Sequence, residues 1–421
     1  MVKITESIKY VGVDDLDIDL FESQYVVPNG VSYNSYIIFD EKIAVMDTVD
    51  RNFTHEWLDN LSNALNGRSP DYLIVQHMEP DHGGSIAAAM ERWPEMKIVT
   101  SVKAAPMLKQ FFGAMDFTDR VIAVKEGDTL SLGRHTLQFI MAPMVHWPEV
   151  MVTYEQTDKT LFTADGFGTF GALHGNINDL RAWPDEARRY YYNICGKYGQ
   201  PVQALLKKVG ALDVQRICPL HGPVLTEDLG YYIGLYDKWS RYEAESEGIL
   251  IAYASIHGNT AIAAHALAAM IQQQAEGVEV KLIDLCRTDV SVAVAEAFRM
   301  GRMVLAASSY DGGLFTPMYE FLHRIQIKGY KGRRVGLIEN GSWAPSAGRV
   351  MKEMLAEMNG IDLVEPMVTI RSAMQPTDVP ALLQALPCCS TVVTTGEKAT
   401  DTLCALLGAE KPAVGSYSEG E

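Results

Sequence analysis

Apolar residues follow two patterns along this chain, and the change falls near residue 248. In the first half, short runs alternate as strands do: Phe21 to Val27, Tyr33 to Phe39 and Lys42 to Thr48. Pro28-Asn29-Gly30 and Asp40-Glu41 separate them, which predicts a β-meander. A helix over 54–65 follows, and then Tyr72-Leu73-Ile74-Val75 reads as a buried strand. Ser85 is placed to cap a helix that runs through Met90. Further strands are predicted over 97–100, 120–124, 136–141, 160–164 and 216–219, and helices over 104–112, 184–208 and 224–243. The spacing predicts a mixed sheet with helices packed outside it.

From residue 249 the pattern becomes continuous. Ile249-Leu250-Ile251-Ala252-Tyr253-Ala254 has the character of a strand buried on both faces of a parallel sheet. Strands over 280–285, 303–307, 334–338 and 363–370 alternate with helices, which predicts a doubly wound parallel sheet. The polar, acidic stretch from Glu243 to Gly248 marks the junction, giving domains 1–247 and 248–421.

Composition sharpens this only in places. A chain of 421 residues exceeds one ordinary core, in keeping with two domains. No apolar run approaches the ~20 residues of a membrane helix, and Met-Val-Lys-Ile-Thr-Glu has no signal-peptide pattern, so a cytoplasmic location is the expectation. The formal charge of −17 argues against nucleic-acid binding, which needs clustered Lys and Arg, and suits a soluble protein or a docking surface for a basic partner. Six cysteines form no Cys-x-x-Cys pair, which speaks against a zinc ribbon or a Cys-ligated iron centre. Cys388-Cys389 reads as a pair of small buried or half-buried thiols, and residues 415–421 read as a disordered tail.

Chemistry is concentrated where strands end. In His77-Met78-Glu79-Pro80-Asp81-His82, four metal-ligand types fall within six residues, directly after a strand. His146, Asp165 and His221 each follow another predicted strand by a few residues. Singly, each fits a capping or turn residue as well as a ligand; together they point to one shared site. Three carboxylates and four imidazoles exceed what one tetrahedral metal needs, so two metals with a bridging carboxylate are implied. The absence of thiolate permits zinc, iron or manganese.

In the second half, Ser255-Ile256-His257-Gly258-Asn259-Thr260 joins a strand to a helix through small and hydroxylated residues. Such a loop can wrap a phosphate with N–H groups, hydroxyls and the helix N-terminus. It is neither Gly-x-Gly-x-x-Gly nor a Walker loop. Two more loops lie at the same sheet edge: Ser308-Ser309-Tyr310-Asp311-Gly312-Gly313 and Gly341-Ser342-Trp343-Ala344. Their glycines allow close approach to a flat ring, on which Tyr310 and Trp343 could stack, while His257 sits near the phosphate or ring edge.

The order of ligands resembles the metallo-β-lactamase superfamily, with one departure: Glu79 stands where that pattern has histidine. A carboxylate is a harder donor and favours iron over zinc. His-x-Glu-x-Asp-His, followed by His146-Trp147-Pro148, Ala164-Asp165-Gly166-Phe167-Gly168 and Leu220-His221-Gly222-Pro223, is similar to the flavodiiron proteins. The 255–260 loop likewise resembles the FMN phosphate loop of flavodoxins, although 341–345 departs from the Gly-Ser-Tyr-Gly-Trp common in the family. The resemblance covers essentially the whole chain and implies a metallo-β-lactamase-like αββα sandwich followed by a flavodoxin-like sheet, the two-domain type. It implies that His77, Glu79 and His146 hold one iron, that Asp81, His82 and His221 hold the other, and that Asp165 bridges. His174 is implied beside that pocket as a hydrogen-bond or proton donor that does not ligate.

FMN, reduced by a separate donor such as rubredoxin, is implied to pass electrons to the irons, where O2 is reduced to water, NO to N2O, or both, with O2 favoured. Electron tunnelling between cofactors on separate domains implies a head-to-tail homodimer or a dimer of such dimers. Two rivals are a dizinc hydrolase with a flavodoxin-like attachment and an electron carrier whose metal is structural.

Overall fold

The strand segments of the first half are short because glycines, prolines and polar pairs interrupt them, and most of them join two sheets. The computed structural model describes residues 2–274 and 277–384. Cys388, Cys389 and the tail at 415–421 lie outside the described residues. The chain divides into two compact units between Arg241 and Tyr242.

In the first unit, one sheet runs in the order Val2–Lys3, Ile8–Tyr10, Tyr36–Ile38, Ala44–Met46, Tyr72–Val75, Lys97–Ser101, Val121–Val124. The strands from Ala44–Met46 onward are parallel, and Tyr72–Val75 lies inside them, paired on both edges. The second sheet runs Thr129–Ser131, Thr136–Met141, Met151–Glu155, Thr160–Phe162, Arg216–Cys218. Ile38, Met46, Ile74 and Val99 from the first sheet meet Phe139, Met151 and Phe162 from the second in one fully buried core cluster. A sheet packed face to face on another excludes water from both inner faces, and this burial is the main driving force here. The layer arrangement is the expected mixed α/β sandwich.

The details depart from the sequence reading in instructive ways. The predicted meander is not one, because Val31–Tyr33 leaves to pair with Val13–Asp15 while Tyr36–Ile38 stays in the large sheet. The helix expected over 184–208 is two helices, Trp183–Ile194 and Gly199–Val209, broken where Gly196 and Gly199 weaken the helix. Met151–Glu155 escaped notice: all five residues are buried, so no polar/apolar alternation betrays it, and its Glu155 Oε1 lies 2.9 Å from His135 Nδ1.

In the second unit, five strand positions are parallel in the order Val280–Asp284, Ser246–Ala254, Met300–Tyr310, Arg334–Asn340, and then Asp362–Leu363 with Val368–Ile370. The last strand, expected unbroken over 363–370, is split around Pro366, which has no N–H for the ladder. This 2-1-3-4-5 order places a crevice beyond the carboxyl ends of the first and third strands. The unit begins six residues before the expected 248 because the acidic stretch is anchored: Glu245 N–H donates to Arg299 O at 2.9 Å, and Ser246-Glu247-Gly248 already belongs to the first strand.

Candidate functional site

The four strands after which the sequence placed ligands all lead to one cluster. Tyr72–Val75 delivers His77 and Glu79, and the single helical turn Pro80–Gly83 turns Asp81 and His82 back toward the same place. His146 follows Thr136–Met141, Asp165 follows Thr160–Phe162, and His221 follows Arg216–Cys218. The candidate ligand atoms fall into two groups, each within 4.8 Å: His77, Glu79, His146 and Asp165 in one, Asp81, His82 and His221 in the other. Asp165 Oδ2 lies 3.4 Å from His77 Nε2 and 3.1 Å from His146 Nε2. Its other oxygen, Oδ1, lies 3.1 Å from His82 Nε2 and 3.8 Å from His221 Nε2. One carboxylate therefore faces both groups. Glu79 Oε2 is 3.1 and 3.0 Å from the Nε2 atoms of His77 and His146, and Asp81 Oδ2 is 3.3 and 3.2 Å from those of His82 and His221.

Electrostatics shows what the cluster lacks by itself. Burial would push Glu79 up, but His146 and His77 pull it down to about 2. Burial likewise works against charge on His146, yet Asp165 and Glu79 raise it to about 9. Burial disfavours the charged form of His77 too, but Asp165, Glu149 and Glu79 raise it well above its ordinary value, while His77 and His82 hold Asp165 well below its own despite burial. Left alone, the cluster recruits protons to offset its carboxylates; a cation of higher charge would take their place.

The buried polar atoms decide the fit. Asp81 Oδ1, both oxygens of Asp165, both ring nitrogens of His82 and Nε2 of His221 are buried with no hydrogen-bond partner among the described residues. Buried polar atoms left without partners are costly unless a cation meets them, and Asp165 Oδ1 and Oδ2, His82 Nε2 and His221 Nε2 all face the cluster. The group His135, Glu155 and Asp158 is a useful contrast. There Glu155 accepts from His135, Thr157 and Asp158, and Asp158 accepts from Thr5 at 2.6 Å, so protein groups already satisfy the cluster. Among the described residues, only the seven-residue cluster joins the donor set of a two-metal site, without thiolate, to buried polar atoms that no protein group meets.

Sequence reasoning missed the groups that aim the rings. Glu149 Oε1 accepts from His77 Nδ1 at 2.8 Å and from Met78 N–H at 3.0 Å, and Ser32 O lies 2.8 Å from His221 Nδ1. Each bond puts the proton on Nδ1 and turns the Nε2 lone pair to the cluster. Asp47 lies behind them: its Oδ1 accepts from Gln76 N at 2.7 Å and its Oδ2 from Gln76 Nε2 at 2.9 Å. Burial raises Asp47 to about 6 against the opposing pull of those N–H groups. Glu149 was in plain view three residues after His146, but nothing in its position separates an orienting carboxylate from a turn residue. His174 lies four residues after Phe170. It is exposed, its backbone N–H donates to Asp14 Oδ2 at 2.8 Å, and its ring lines a surface cavity; among the described residues it makes no hydrogen bond to the seven.

In the second unit, the three predicted loops line one cleft of about 560 Å³. Ser255, His257, Asn259, Thr260, Ser308, Ser309, Tyr310, Asp311, Gly312, Gly341, Ser342, Trp343 and Ala344 all border it, with Ile256, Asn340, Ser346 and Ser372 in addition. Gly258 and Gly313 shape the loops without lining the cleft: Gly258 N–H donates to Ser255 Oγ at 3.1 Å, and Gly313 pairs back onto Tyr310. The first turn of the helix Asn259–Gln274 opens at the cleft with N–H groups that helix geometry leaves free. Thr260 Oγ1 and Ser308 Oγ lie 2.9 Å apart and tie the first two loops together. At the rim, Tyr310 and Trp343 are 48 % and 89 % exposed, large apolar surfaces in want of a flat partner. Asp311 and Gly312 both have positive φ, and a Cβ on Gly312 would meet open space at the cleft. The cleft offers hydroxyls, N–H groups and rings, the donor set for a phosphorylated planar cofactor.

Comparison with known proteins agrees with this geometry. Residues 31–222 match the sequence model of the ODP family beta lactamase. The chain is similar to the nitric oxide reductase of Moorella thermoacetica, 30 % identical over 379 residues, covering 88 % of this chain and 93 % of that protein. It is also 30 % identical to the anaerobic nitric oxide reductase flavorubredoxin of Aliivibrio salmonicida, over 81 % of this chain and 69 % of that one. Among solved structures, rubredoxin oxygen:oxidoreductase from Desulfovibrio gigas superposes with a TM-score of 0.84 at 26 % identity, over 97 % of this chain and 100 % of that one. The flavodiiron protein of Giardia intestinalis shares the fold, with a TM-score of 0.84 at 24 % identity.

Proposed function

This chain belongs to the flavodiiron protein family, and we propose that it reduces O2 to water, with NO to N2O as a second activity, at a non-haem diiron site in the cytoplasm. The observation that carries the reading is the cluster of seven, whose candidate ligand atoms gather in two groups with the Asp165 carboxylate facing both. His77, Glu79 and His146 would hold one iron, Asp81, His82 and His221 the other, and the Asp165 carboxylate both. The cleft of the second unit would hold FMN, with its phosphate on the 255–260 loop and its ring between Tyr310 and Trp343. When bound, the irons supply one-electron redox chemistry and FMN joins it to an external donor, a rubredoxin by family analogy.

The chain's own residues set the conditions. Glu149 and the carbonyl of Ser32 hold His77 and His221 as Nδ1–H tautomers, so that neutral nitrogen faces the metal pocket. The carboxylates of Glu79 and Asp81 keep an oxygen-rich, anionic set that favours iron over zinc. Ser255, Thr260 and Ser308 would donate to phosphate. A head-to-tail homodimer, bringing one chain's cleft to the other chain's cluster, is part of the same reading.

The test is anaerobic reduction of the purified protein, followed by measured additions of O2 and of NO at an electrode, with metal and flavin assayed on the same sample. Two irons and one FMN per chain with faster O2 uptake are expected. Zinc in the site with no consumption of either gas would return the hydrolase reading. A fully active monomer in sedimentation would sink the dimer.

A further inference from the structure

Two helices of the second unit begin at the cleft, and their first turns are served differently. At Asn259–Gln274, helix geometry leaves the leading N–H groups free for a ligand. At Ala347–Ala356 the protein takes them itself. Ser309 Oγ accepts from Ser346 N–H at 2.8 Å and from Ala347 N–H at 3.1 Å, and Glu339 Oε2 accepts from Gly348 N–H at 2.8 Å. Thr369 Oγ1 donates to the other carboxylate oxygen, Oε1, at 2.8 Å. A Cβ on Gly348 would meet Glu339 Oε2 at 2.9 Å and Met367 Sδ at 2.2 Å, so a side chain there would crowd the carboxylate. Glu339 is buried, and among the described residues no Lys, Arg or His pairs with it. A buried charge without a counter-charge is costly, although a neutral amide could accept the same N–H. Asn340 beside it and Ser346, two residues before Gly348, both line the cleft, so chain reach puts the carboxylate within about 10 Å of the cleft wall.

We propose that Glu339 is a tuning residue for the flavin: its charge, set on the helix end that opens at the cleft, lowers the reduction potential of bound FMN. The inference rests on the FMN reading of this cleft. Taking up two electrons and one proton leaves the flavin ring with one more negative charge than the oxidised ring has. A helix N-terminus with free N–H groups stabilises such a charge. A buried carboxylate on those same groups opposes it, and burial spares its field from screening by salt. Glu339 acts through the helix end and its field, as charges near a cofactor ring do, rather than by contact. The lower potential makes reduced FMN the stronger reductant toward the irons.

A spectroelectrochemical titration of the full, FMN-loaded chain tests this, with FMN per chain assayed on each sample. In Glu339→Gln the amide oxygen still accepts from Gly348 N–H, and the Thr369 hydroxyl can turn to accept from the new NH2, so the bonds stay and the charge goes. A unit charge about 12 Å away, across an effective dielectric of about 20, shifts the reduction equilibrium about tenfold, a rise of about 30 mV for a two-electron couple. Thr369→Val removes a bond to Glu339 but keeps the charge, and should leave that equilibrium within about twofold of wild type. An unmoved potential in Glu339→Gln overturns the proposal, and so does an equal rise in Thr369→Val, which would make the contact structural. Should Glu339→Gln not fold, Thr369→Lys decides: an ammonium placed on that edge strand, opposite Glu339, must raise the potential if charge at this place reaches the flavin, and no rise overturns the proposal. A chain that takes up no FMN would fail the reading of the cleft and the inference with it, an outcome distinct from bound FMN with an unmoved potential.

Discussion

Glu149 touches none of the other six candidate ligands besides His77, yet removing it should loosen metal binding. Its side chain is wholly buried, its Oε1 receives the N–H groups of His77 and Met78 at 2.8 and 3.0 Å, and its Oε2 has no described partner. Burial pushes its carboxyl up, but the His77 ring outweighs this and keeps it ionised. In Glu149→Gln, the carbonyl can accept both bonds, but the charge is lost and the new NH2 faces a site with no acceptor. A bond to a charged acceptor contributes about 1.5–3 kcal/mol against about 0.5–1.5 for a neutral one. The difference of about 1.4 kcal/mol predicts about tenfold weaker iron binding. Glu149→Ala strands two buried N–H groups, at about 1–3 kcal/mol each, and frees the His77 ring to take the wrong tautomer. Iron binding should then fall about a hundredfold, the upper end for such partners. Metal-free Tm should drop by roughly 4–24 °C, given about 2–4 °C per kcal/mol for a unit of this size. The assay is iron retained per chain against a graded chelator, with Tm of the metal-free protein by circular dichroism. Wild-type iron retention in Glu149→Ala would refute the orienting role, whatever the stability change.

Four other outcomes follow from named contacts. Asp47, raised to about 6 in the fold from 3.8, binds a proton there that the unfolded chain has released, so its contribution is full below about pH 4 and lost as pH rises through about 6, a loss of about 3 kcal/mol in the metal-free protein. Asp47→Asn should flatten that slope in urea melts at pH 4.5 and 7, since Gln76 can turn its unpartnered Oε1 to the new amide; an unchanged slope would reject the assignment. With His146 held near 9 and Glu79 near 2, metal uptake must displace protons, so iron affinity should climb about tenfold per pH unit for each proton displaced between about pH 6 and 9; proton release in unbuffered titration checks it. Gly222→Ala, at φ +78° with a Cβ 2.1 Å from Thr169 Oγ1, should cost more than about 3 kcal/mol and the metal held by His221, seen as Tm and iron content. Thr260→Val keeps shape but loses the hydroxyl beside Ser308 and should weaken FMN about tenfold in fluorescence titration of the apoprotein; unaltered affinity would move the phosphate elsewhere.

Much of the fold was legible because period and punctuation agreed. The run Ile249 to Ala254 is apolar without alternation, and the structure shows why: neighbours pair on both edges and its later residues are buried. Where the period misled, tertiary pairing had overruled local pattern. Val31–Tyr33 and Tyr36–Ile38 are separated by Asn34 and Ser35, which look like a mere interruption in one strand. In the fold, Asn34 Nδ2 donates to Pro219 O and Gly222 O at 2.9 and 2.8 Å, far along the chain, and so turns the strand to another partner. No local window contains that information.

The site divides along the same line. Ligand candidates are detectable one by one, because His, Asp and Glu after a strand are visible as residue types and the fold needs only strand ends to gather them. What makes them a site is the direction of their lone pairs, and direction comes from partners that carry no signature. The ring of His77 is held by a carboxylate 72 positions away, and that of His221 by a main-chain carbonyl 189 positions away, to which any residue in place of Ser32 would contribute equally. Residue types fix how many lone pairs a cluster can offer; only the fold fixes where they point, and a two-metal site needs both.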